Sequence, residues 1–430
     1  MRRRGQGASR TRRARRGRAR RVAGGGGFRR AAPQLNGAPR RIDGRAGLNT
    51  IAHLTLALAA LSAILTLVAA ALAAPWIAAA RAPARGPRRL PRVTVLKPRC
   101  GDAPGLDARL EAALAQDYPA RVDLVLGVAD PNDGALPAAR RLVAAHPDRD
   151  VRIVVDPRLA GPNRKASNLA NMEREIDGEI VVAADSDVTW PRDCLGRLVA
   201  ALEAPGVGIV SAPYRGVAEG GPWARLAAMT IDRLVLPFTV AAVRLGVAEP
   251  CLGATVALRR DALRALGGFA RFADRLADDH ALGEAARTMG LRTAMPRMLV
   301  AHHCAPRGAR GLARQELRWA RPVRKVAPLH YAMALLAQPL PLALLALPLD
   351  GFERAAWMVV GVALGARFAL QLAVDAALGG RPLPDPLLPL RDLATFAVFL
   401  AALRPGPIAW RGETFRVDAE GRLLSGEPAE

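Results

Sequence analysis

The chain has 430 residues, of which 51% are hydrophobic and 4% aromatic, and its 62 basic and 38 acidic residues give a formal net charge of +24. This length supplies one large domain or two medium ones with a substantial core, and the apolar content excludes wholesale disorder. Four cysteines without a Cys-x-x-Cys pair exclude a disulfide framework and argue against a structural zinc site.

The positive charge is concentrated at the start of the chain, where residues 1–46 hold 16 arginines and one acidic residue, Asp43. A Gly/Arg-rich segment with few apolar residues cannot bury a core, so we predict a disordered tail over residues 1–46. Its charge suits anionic lipid headgroups or RNA. A solvated tail, or a translation start further along the chain, is the favoured interpretation, and no nucleic-acid partner is expected.

Apolar segments frame the rest of the chain. Residues 48–80 carry no formal charge and are long enough to cross a bilayer, so they predict a transmembrane helix. Basic residues flank both of its ends, so the positive-inside rule gives no orientation. Residues 329–403 predict two or three membrane segments, in which Arg367 and Asp375 point inward or pair. A polar C-terminal tail is predicted over residues 404–430.

Residues 92–325 show the pattern of an α/β domain, because short β-branched runs alternate with helical stretches. The predicted strands cover residues 93–96, 122–128, 151–155 and 179–184. The predicted helices between them cover residues 106–116, 137–145 and 165–176. Such alternation predicts a mostly parallel sheet, with ligands bound beyond the carboxyl ends of the strands.

Acidic residues follow two of these strands. Asp130 comes just after the second strand, and Asp185 and Asp187 come just after the fourth. Two carboxylates at positions i and i+2 suit a hard divalent cation and the phosphates that it holds. A turn with Asp at capping positions is the alternative, which an isolated Asp-x-Asp motif does not exclude.

A second pair of carboxylates, Asp278 and Asp279, opens a predicted helix over residues 278–289. Asp278 either caps this helix, or the two carboxylates raise each other's pKa and supply a general base. His302 and His303 are interpreted as a strand-end pair near the site, since no carboxylate or further cysteine lies at metal-ligand spacing.

Gln315, Arg318 and Trp319 lie in a basic helical segment directly before the C-terminal apolar region. Either this segment is an amphipathic helix on lipid headgroups, or Arg318 binds a diphosphate and Trp319 stacks on an acceptor.

Taken in order, these residues match the signature D, DxD, D, (Q/R)xxRW, and the chain therefore resembles the membrane-embedded GT-A glycosyltransferases. Further motifs are similar to the ceramide glucosyltransferase family, and most like the bacterial hopanoid biosynthesis-associated glycosyltransferases. These motifs are Val95–Pro98, Gly161–Lys165 with Asn168, and the loop at Gly253.

The resemblance implies an α/β fold of GT-A type, with a Rossmann-like, mostly parallel sheet framed by transmembrane helices. It implies an inverting UDP-sugar-dependent hexosyltransferase that moves N-acetylglucosamine to bacteriohopanetetrol. The alternatives are a ceramide glucosyltransferase, a processive polysaccharide synthase, or a non-catalytic membrane protein, which the retained carboxylates disfavour. A multi-pass protein of the bacterial inner membrane with a cytosolic catalytic domain is expected.

The resemblance also assigns roles to residues of this chain. The implied metal ligands, for Mg²⁺ or Mn²⁺, are Asp185 and Asp187. The implied substrate-binding residues are Asp130, Lys97, Lys165, Asn168 and Asp278, of which Asp130 contacts the nucleoside of the donor. The implied catalytic residues are Asp279, Arg318, Trp319 and Gln315. Among these, Asp279 deprotonates the acceptor hydroxyl, Arg318 stabilises the diphosphate and Trp319 packs on the acceptor.

Overall fold

The computed structural model describes residues 44–99, 101, 105–404, 406, 408–410, 413–418 and 420–425. The predicted tail over residues 1–46 lies outside these ranges, except for its last three residues, which belong to the first helix. The predicted polar tail over residues 404–430 is described only in part.

The strands, in chain order, are β1 (Val93–Arg99), β2 (Val122–Val128), β3 (Val151–Val155), β4 (Ile180–Ala184), β5 (Val188–Thr189), β6 (Val207–Ser211), β7 (Tyr214–Ala218), β8 (Thr255–Arg259), β9 (Arg292–Ala294), β10 (Val300–Cys304), β11 (Ile408–Trp410), β12 (Glu413–Val417) and β13 (Leu423–Ser425). The α-helices are α1 (Gly44–Ala80), α2 (Leu106–Leu114), α3 (Leu136–Ala145), α4 (Arg164–Met172), α5 (Cys194–Leu202), α6 (Pro222–Thr230), α7 (Leu236–Arg244), α8 (Arg260–Ala265), α9 (Asp278–Thr288), α10 (Gly308–Val326), α11 (Pro328–Met333), α12 (Pro339–Leu349), α13 (Arg354–Ala377) and α14 (Leu388–Leu403).

The central sheet has seven strands in the order β3-β2-β1-β4-β8-β6-β9. Strands β1 to β4 are mutually parallel, and β8 runs antiparallel to both of its neighbours. All seven residues of β1 are buried, as expected for a parallel strand covered on both faces. Apolar clusters lie on the two faces, one around Val95 and the other around Leu96. The carboxyl ends of β1 to β4 therefore meet at one edge of the sheet.

A smaller sheet in the order β5-β10-β7 lies beside this edge. Strand β5 begins directly after Asp187, and its Val188 pairs with His302 of β10. Strand β10 leads into α10, which carries Gln315, Arg318 and Trp319. The small sheet thus connects the Asp-x-Asp turn to the helix that precedes the C-terminal apolar segments.

Three helical segments of the described chain are long and apolar enough to cross a membrane: Leu48–Ala80, Pro222–Arg244 and Arg354–Ala377. A fourth segment, Pro328–Ala337 with Pro339–Leu349, passes the same test only as a pair bent by 76°. These helices associate the protein with a membrane. The segment Pro222–Arg244 was not predicted from the sequence; it joins α6 and α7 through a π-helical turn over Ile231–Val235.

The charges within these apolar helices are paired across helices. Arg367 of α13 forms two hydrogen bonds of 2.8 Å with Asp392 of α14, while Asp375 of α13 binds Arg233 at 3.0 Å. The expectation that Arg367 and Asp375 point inward or pair is confirmed, since each binds a side chain of opposite charge. Their partners lie on neighbouring elements, as buried charges require.

Part of the predicted polar tail is folded. Strands β11, β12 and β13 form an antiparallel sheet. The N–H of Leu423 donates to the carbonyl of Asp274 over 2.6 Å, and Arg422 forms an isolated bridge with Arg275. The C-terminal sheet therefore contacts the loop that leads into Asp278 and α9.

Candidate active site

The Asp-x-Asp turn follows β4 and is supported from beneath by two cationic side chains of β1. The Nζ of Lys97 lies 3.3 Å from the carbonyl oxygen of Asp185, and a guanidinium nitrogen of Arg99 lies 3.2 Å from that of Ser186. Lys97 is 1% exposed, and burial lowers its pKa to about 7. The structure therefore places Lys97 under the turn, where it positions the backbone and is sealed from solvent.

The other predicted lysine lies among carboxylates. The Nζ of Lys165 is 2.6 Å from Oδ1 of Asp185 and 3.9 Å from Oδ2 of Asp278, and it donates to the carbonyl of Gly253 over 3.3 Å. Burial opposes its charge, but the negative charges of Asp185, Asp278 and Asp279 raise the pKa of Lys165. The lysine is therefore a fixed positive charge that joins the Asp-x-Asp turn to the start of α9.

Burial raises the pKa of the carboxyl groups of Asp185, Asp278 and Asp279. The negative charges of neighbouring carboxylates raise these pKa values further, while the positive charge of Lys165 lowers them. The cluster holds three carboxylates and one ammonium group. This surplus of negative charge suits a site that accepts a proton or a cation.

Asn163 fixes the start of α4 and was missed by the sequence analysis. Its side-chain oxygen accepts from the N–H groups of Lys165 and Ala166 over 2.9 and 3.0 Å, which is the N-cap geometry. Its amide nitrogen donates to the carbonyl of Arg275 over 2.7 Å and to Oδ1 of Asp278 over 3.3 Å. An Asn directly before a helical run is the signal that identifies such a cap.

Asp279 lies where the loop before β8 meets α9. Its Oδ1 accepts from the N–H of His280 over 2.8 Å. A Cβ atom on Gly253 would lie 2.7 Å from Oδ2 of Asp279, so this close approach requires glycine. The interpretation of Asp278 as the N-cap of this helix is wrong, because Ala277 occupies the N-cap position.

Asp187 connects the turn to the Gln-x-x-Arg-Trp helix through His302. The Nδ1 of His302 lies 3.6 Å from Oδ1 of Asp187, and its ring packs edge-on against Trp319 with centroids 6.0 Å apart. The Tyr214 ring lies 5.5 Å from the His302 ring on the other side. The expectation that His302 lies near the site is confirmed, while Tyr214 was not anticipated. The guanidinium of Arg318 lies 6.0 Å from the Trp319 ring.

Three predicted site residues make none of the contacts described above with the Asp-x-Asp turn or with Asp278 and Asp279. Asp130 is exposed at the carboxyl end of β2, where its carboxylate accepts from the N–H of Asn132 over 2.8 Å. Asn168 is 3% exposed and donates to the carbonyl of Gly127 over 2.9 Å, so its side chain supports β2 from within the core. Gln315 is half-buried on α10, one turn before Trp319.

The carboxylates fit a divalent cation that takes further ligands from a substrate. Oδ1 of Asp187 is buried and has no hydrogen-bond partner, which leaves one hard oxygen for a cation. Within the described ranges, no three His, Cys, Asp or Glu side chains are arranged as a complete metal site. Phosphate oxygens of a bound nucleotide supply the missing ligands in such a site.

The mostly parallel sheet, with carboxylates gathered at the carboxyl ends of its strands, defines a GT-A-like glycosyltransferase fold. A solved mannosyltransferase from Pyrobaculum calidifontis, in complex with GDP-Man and Mn²⁺, is similar over 83% of this chain and 99% of that chain. The two are 27% identical in sequence, with a TM-score of 0.51. The predicted fold class is confirmed.

A sequence profile of glycosyl transferase family 21 matches residues 55–423, and the chain belongs to this family. The match agrees with the predicted class of enzyme, a glycosyltransferase. Ceramide glucosyltransferases of Gibberella zeae and Komagataella phaffii are 32% and 33% identical over 136 and 114 residues. These alignments cover 30% and 26% of this chain but only 26% and 22% of the relatives, so the chain matches about a quarter of their length.

Proposed function

We propose that the protein transfers a sugar, with inversion, from a UDP-sugar to the hydroxyl of a membrane lipid. The observation that carries the proposal is the contact of Lys165 with Asp185 and Asp278, which joins the Asp-x-Asp turn to the Asp279 loop at one edge of the sheet. The proximity of α10 to the apolar helices supports a lipid acceptor, since a bilayer presents lipid hydroxyls at its surface.

The residues divide the chemistry between them. Asp185 and Asp187 would hold a divalent cation, which would supply Lewis-acid chemistry toward the donor diphosphate. Asp279 takes the proton from the acceptor hydroxyl, and burial raises the pKa of this carboxyl group, which makes the carboxylate a stronger base. Lys165 keeps the carboxylates in place, and Arg318 supplies fixed positive charge beside the diphosphate. Trp319 offers an apolar face to the acceptor.

Two acceptors remain in the proposal. The hopanoid bacteriohopanetetrol, receiving N-acetylglucosamine, follows from the finer sequence resemblance, whereas ceramide, receiving glucose, is supported by the curated relatives. The similar mannosyltransferase was solved with GDP-Man, a nucleotide sugar different from the donor proposed here. We place the catalytic domain in the cytosol of a bacterial inner-membrane protein, where nucleotide sugars are available.

Lipid profiling of a deletion strain by mass spectrometry distinguishes these acceptors. Accumulated bacteriohopanetetrol with loss of its hexosamine derivatives supports the hopanoid assignment. Unchanged hopanoids with missing glycosylceramide support the ceramide assignment. No change in either lipid class would contradict both, and a ladder of products in vitro would instead indicate a processive polysaccharide synthase.

A further inference from the structure

A cationic cavity lies apart from the carboxylate cluster. It has a volume of about 350 Å³ and lies between the second half of α10, the end of α14 and the C-terminal sheet. Its cationic lining residues are Arg321, Arg324, Lys325, Arg404 and Arg416. The remaining described residues of the lining are Gly406, Ile408 and Val417, so none of the described lining residues is acidic.

Three of the five cationic side chains that line this cavity have no acidic partner within the described part of the chain. No carboxylate there forms an ion pair with Arg324, Lys325 or Arg416, and Nε of Arg324 is buried without a hydrogen-bond partner. By contrast, the buried Arg367 is neutralised by two hydrogen bonds to Asp392. Guanidinium groups prefer phosphate and carboxylate oxygens, so the cavity has the chemistry of a phosphate site.

Exposed apolar side chains lie close in sequence to the residues that line the cavity. Leu329, on α11 just after Lys325, is 70% exposed, and Leu403, directly before Arg404, is 47% exposed. The hydroxyl of Tyr331 on α11 donates to the carbonyl of Phe399 on α14 over 2.8 Å, which holds these two helices together. A phosphate site with an apolar border matches an amphipathic lipid better than a free anion.

We propose that this cavity binds the phosphate of an anionic membrane lipid, whose acyl chains lie along the exposed apolar residues of α11 and α14. Arg318 and Trp319 are one turn before Arg321 on α10. A bound lipid therefore fixes the height of this helix at the bilayer surface. The site is independent of the sugar donor and of the acceptor hydroxyl.

The test uses the full chain purified in detergent. Native mass spectrometry counts the phosphatidylglycerol molecules that stay bound and compares them with phosphatidylcholine molecules that have the same acyl chains. We expect wild-type protein to retain phosphatidylglycerol selectively. Arg324→Gln/Arg416→Gln should weaken this binding by about tenfold or more, because each basic residue near lipid contributes about 1 kcal/mol. The matched control is Arg310→Gln/Arg314→Gln, which removes the same charge from exposed positions on α10 and should bind like wild type.

Thermal melting of each variant checks the fold. If the double variant does not fold, the exposed single change Arg416→Gln should still weaken phosphatidylglycerol binding severalfold. Inorganic phosphate, added alone and in competition, distinguishes the two sources of phosphate. Equal binding of phosphatidylglycerol by the cavity variants and wild type would overturn the proposal, as would displacement of the lipid by inorganic phosphate at similar concentrations.

Discussion

The ammonium group of Lys165 lies 2.6 Å from the carboxylate of Asp185, although 20 positions separate the two residues in the sequence. Asn163 caps the helix that carries Lys165 and also binds Asp278. The N-terminal end of α4, with its cap Asn163, therefore contacts both the turn after β4 and the start of α9.

Replacing Lys165 by Met should lower kcat/KM and move the acidic limb of the pH–rate profile to higher pH. The lysine favours the charged form of the neighbouring carboxylates, so its removal raises their pKa. Glycosyl transfer measured between pH 5 and 9 checks this shift. Lys165→Arg is the matched control and should keep the limb near its wild-type position. An unmoved limb in Lys165→Met would contradict the account.

The variant Gly253→Ala should reduce kcat by about a hundredfold, with little change in donor binding. The new Cβ would lie 2.7 Å from Oδ2 of Asp279 and displace the base, and a displacement of about 1 Å has an effect of this size. Gly311→Ala on α10 is the control, because no surrounding atom lies closer than 3.9 Å to its Cβ. Transfer and donor-binding assays on both variants separate the two parameters.

We expect Asp187→Asn to raise the Mn²⁺ concentration needed for activity by more than about 100-fold. Replacing a residue that only supports a metal ligand typically weakens metal binding by roughly 10–100-fold. The reason is that Asp187 presents a buried oxygen with no hydrogen-bond partner of its own. Activity titrated with Mn²⁺ measures the effect. Asp148→Asn, at a carboxylate 79% exposed, provides the control. An identical Mn²⁺ dependence in the Asp187 variant would exclude it as a ligand.

Glu316 lies inside the Gln-x-x-Arg-Trp motif, but its side chain contacts α14 and α6. It forms a buried ion pair with Arg391 of α14 and accepts from Thr230 of α6 over 3.1 Å. Glu316→Gln should lower the free energy of unfolding by about 3–5 kcal/mol, since it leaves Arg391 buried without its counter-charge. Thermal unfolding in detergent measures the loss.

The exposed Glu284→Gln should unfold like wild type, and the double variant Glu316→Met/Arg391→Met should recover most of the stability lost in Glu316→Gln. A double variant as unstable as the single one would show that the buried charge is not the cause.

The elements with the clearest sequence patterns were predicted with the greatest accuracy. Strands β2 and β3 have the predicted bounds, because each is a short run rich in Val, Ile or Leu that turn-forming or polar residues bound. The helical segment Pro222–Arg244 was missed since Arg225, Asp232 and Arg233 interrupt its apolar pattern. Their partners, including Asp385, lie far along the chain, so the sequence alone does not reveal the pairing.

The same limit applies to the site. The order of the acidic motifs predicted which carboxylates are functional candidates, and strand ends explain their position at the edge of the sheet. The sequence did not distinguish the roles of Lys97 and Lys165. In the structure, Lys97 is buried under backbone carbonyls, while Lys165 contacts carboxylates. That difference depends on packing between β1, α4 and β4, which no local pattern encodes.

The central claim is transfer of a sugar to a lipid hydroxyl with Asp279 as the base. The most direct measurement incubates purified protein with Mn²⁺, UDP-N-acetylglucosamine or UDP-glucose, and bacteriohopanetetrol or ceramide, and identifies products by mass spectrometry. The account predicts a singly glycosylated lipid with inverted anomeric configuration. Asp279→Asn should form it about 10²–10⁴ times more slowly while still binding donor. Wild-type rates in Asp279→Asn, or release of free sugar without any glycolipid, would contradict the account.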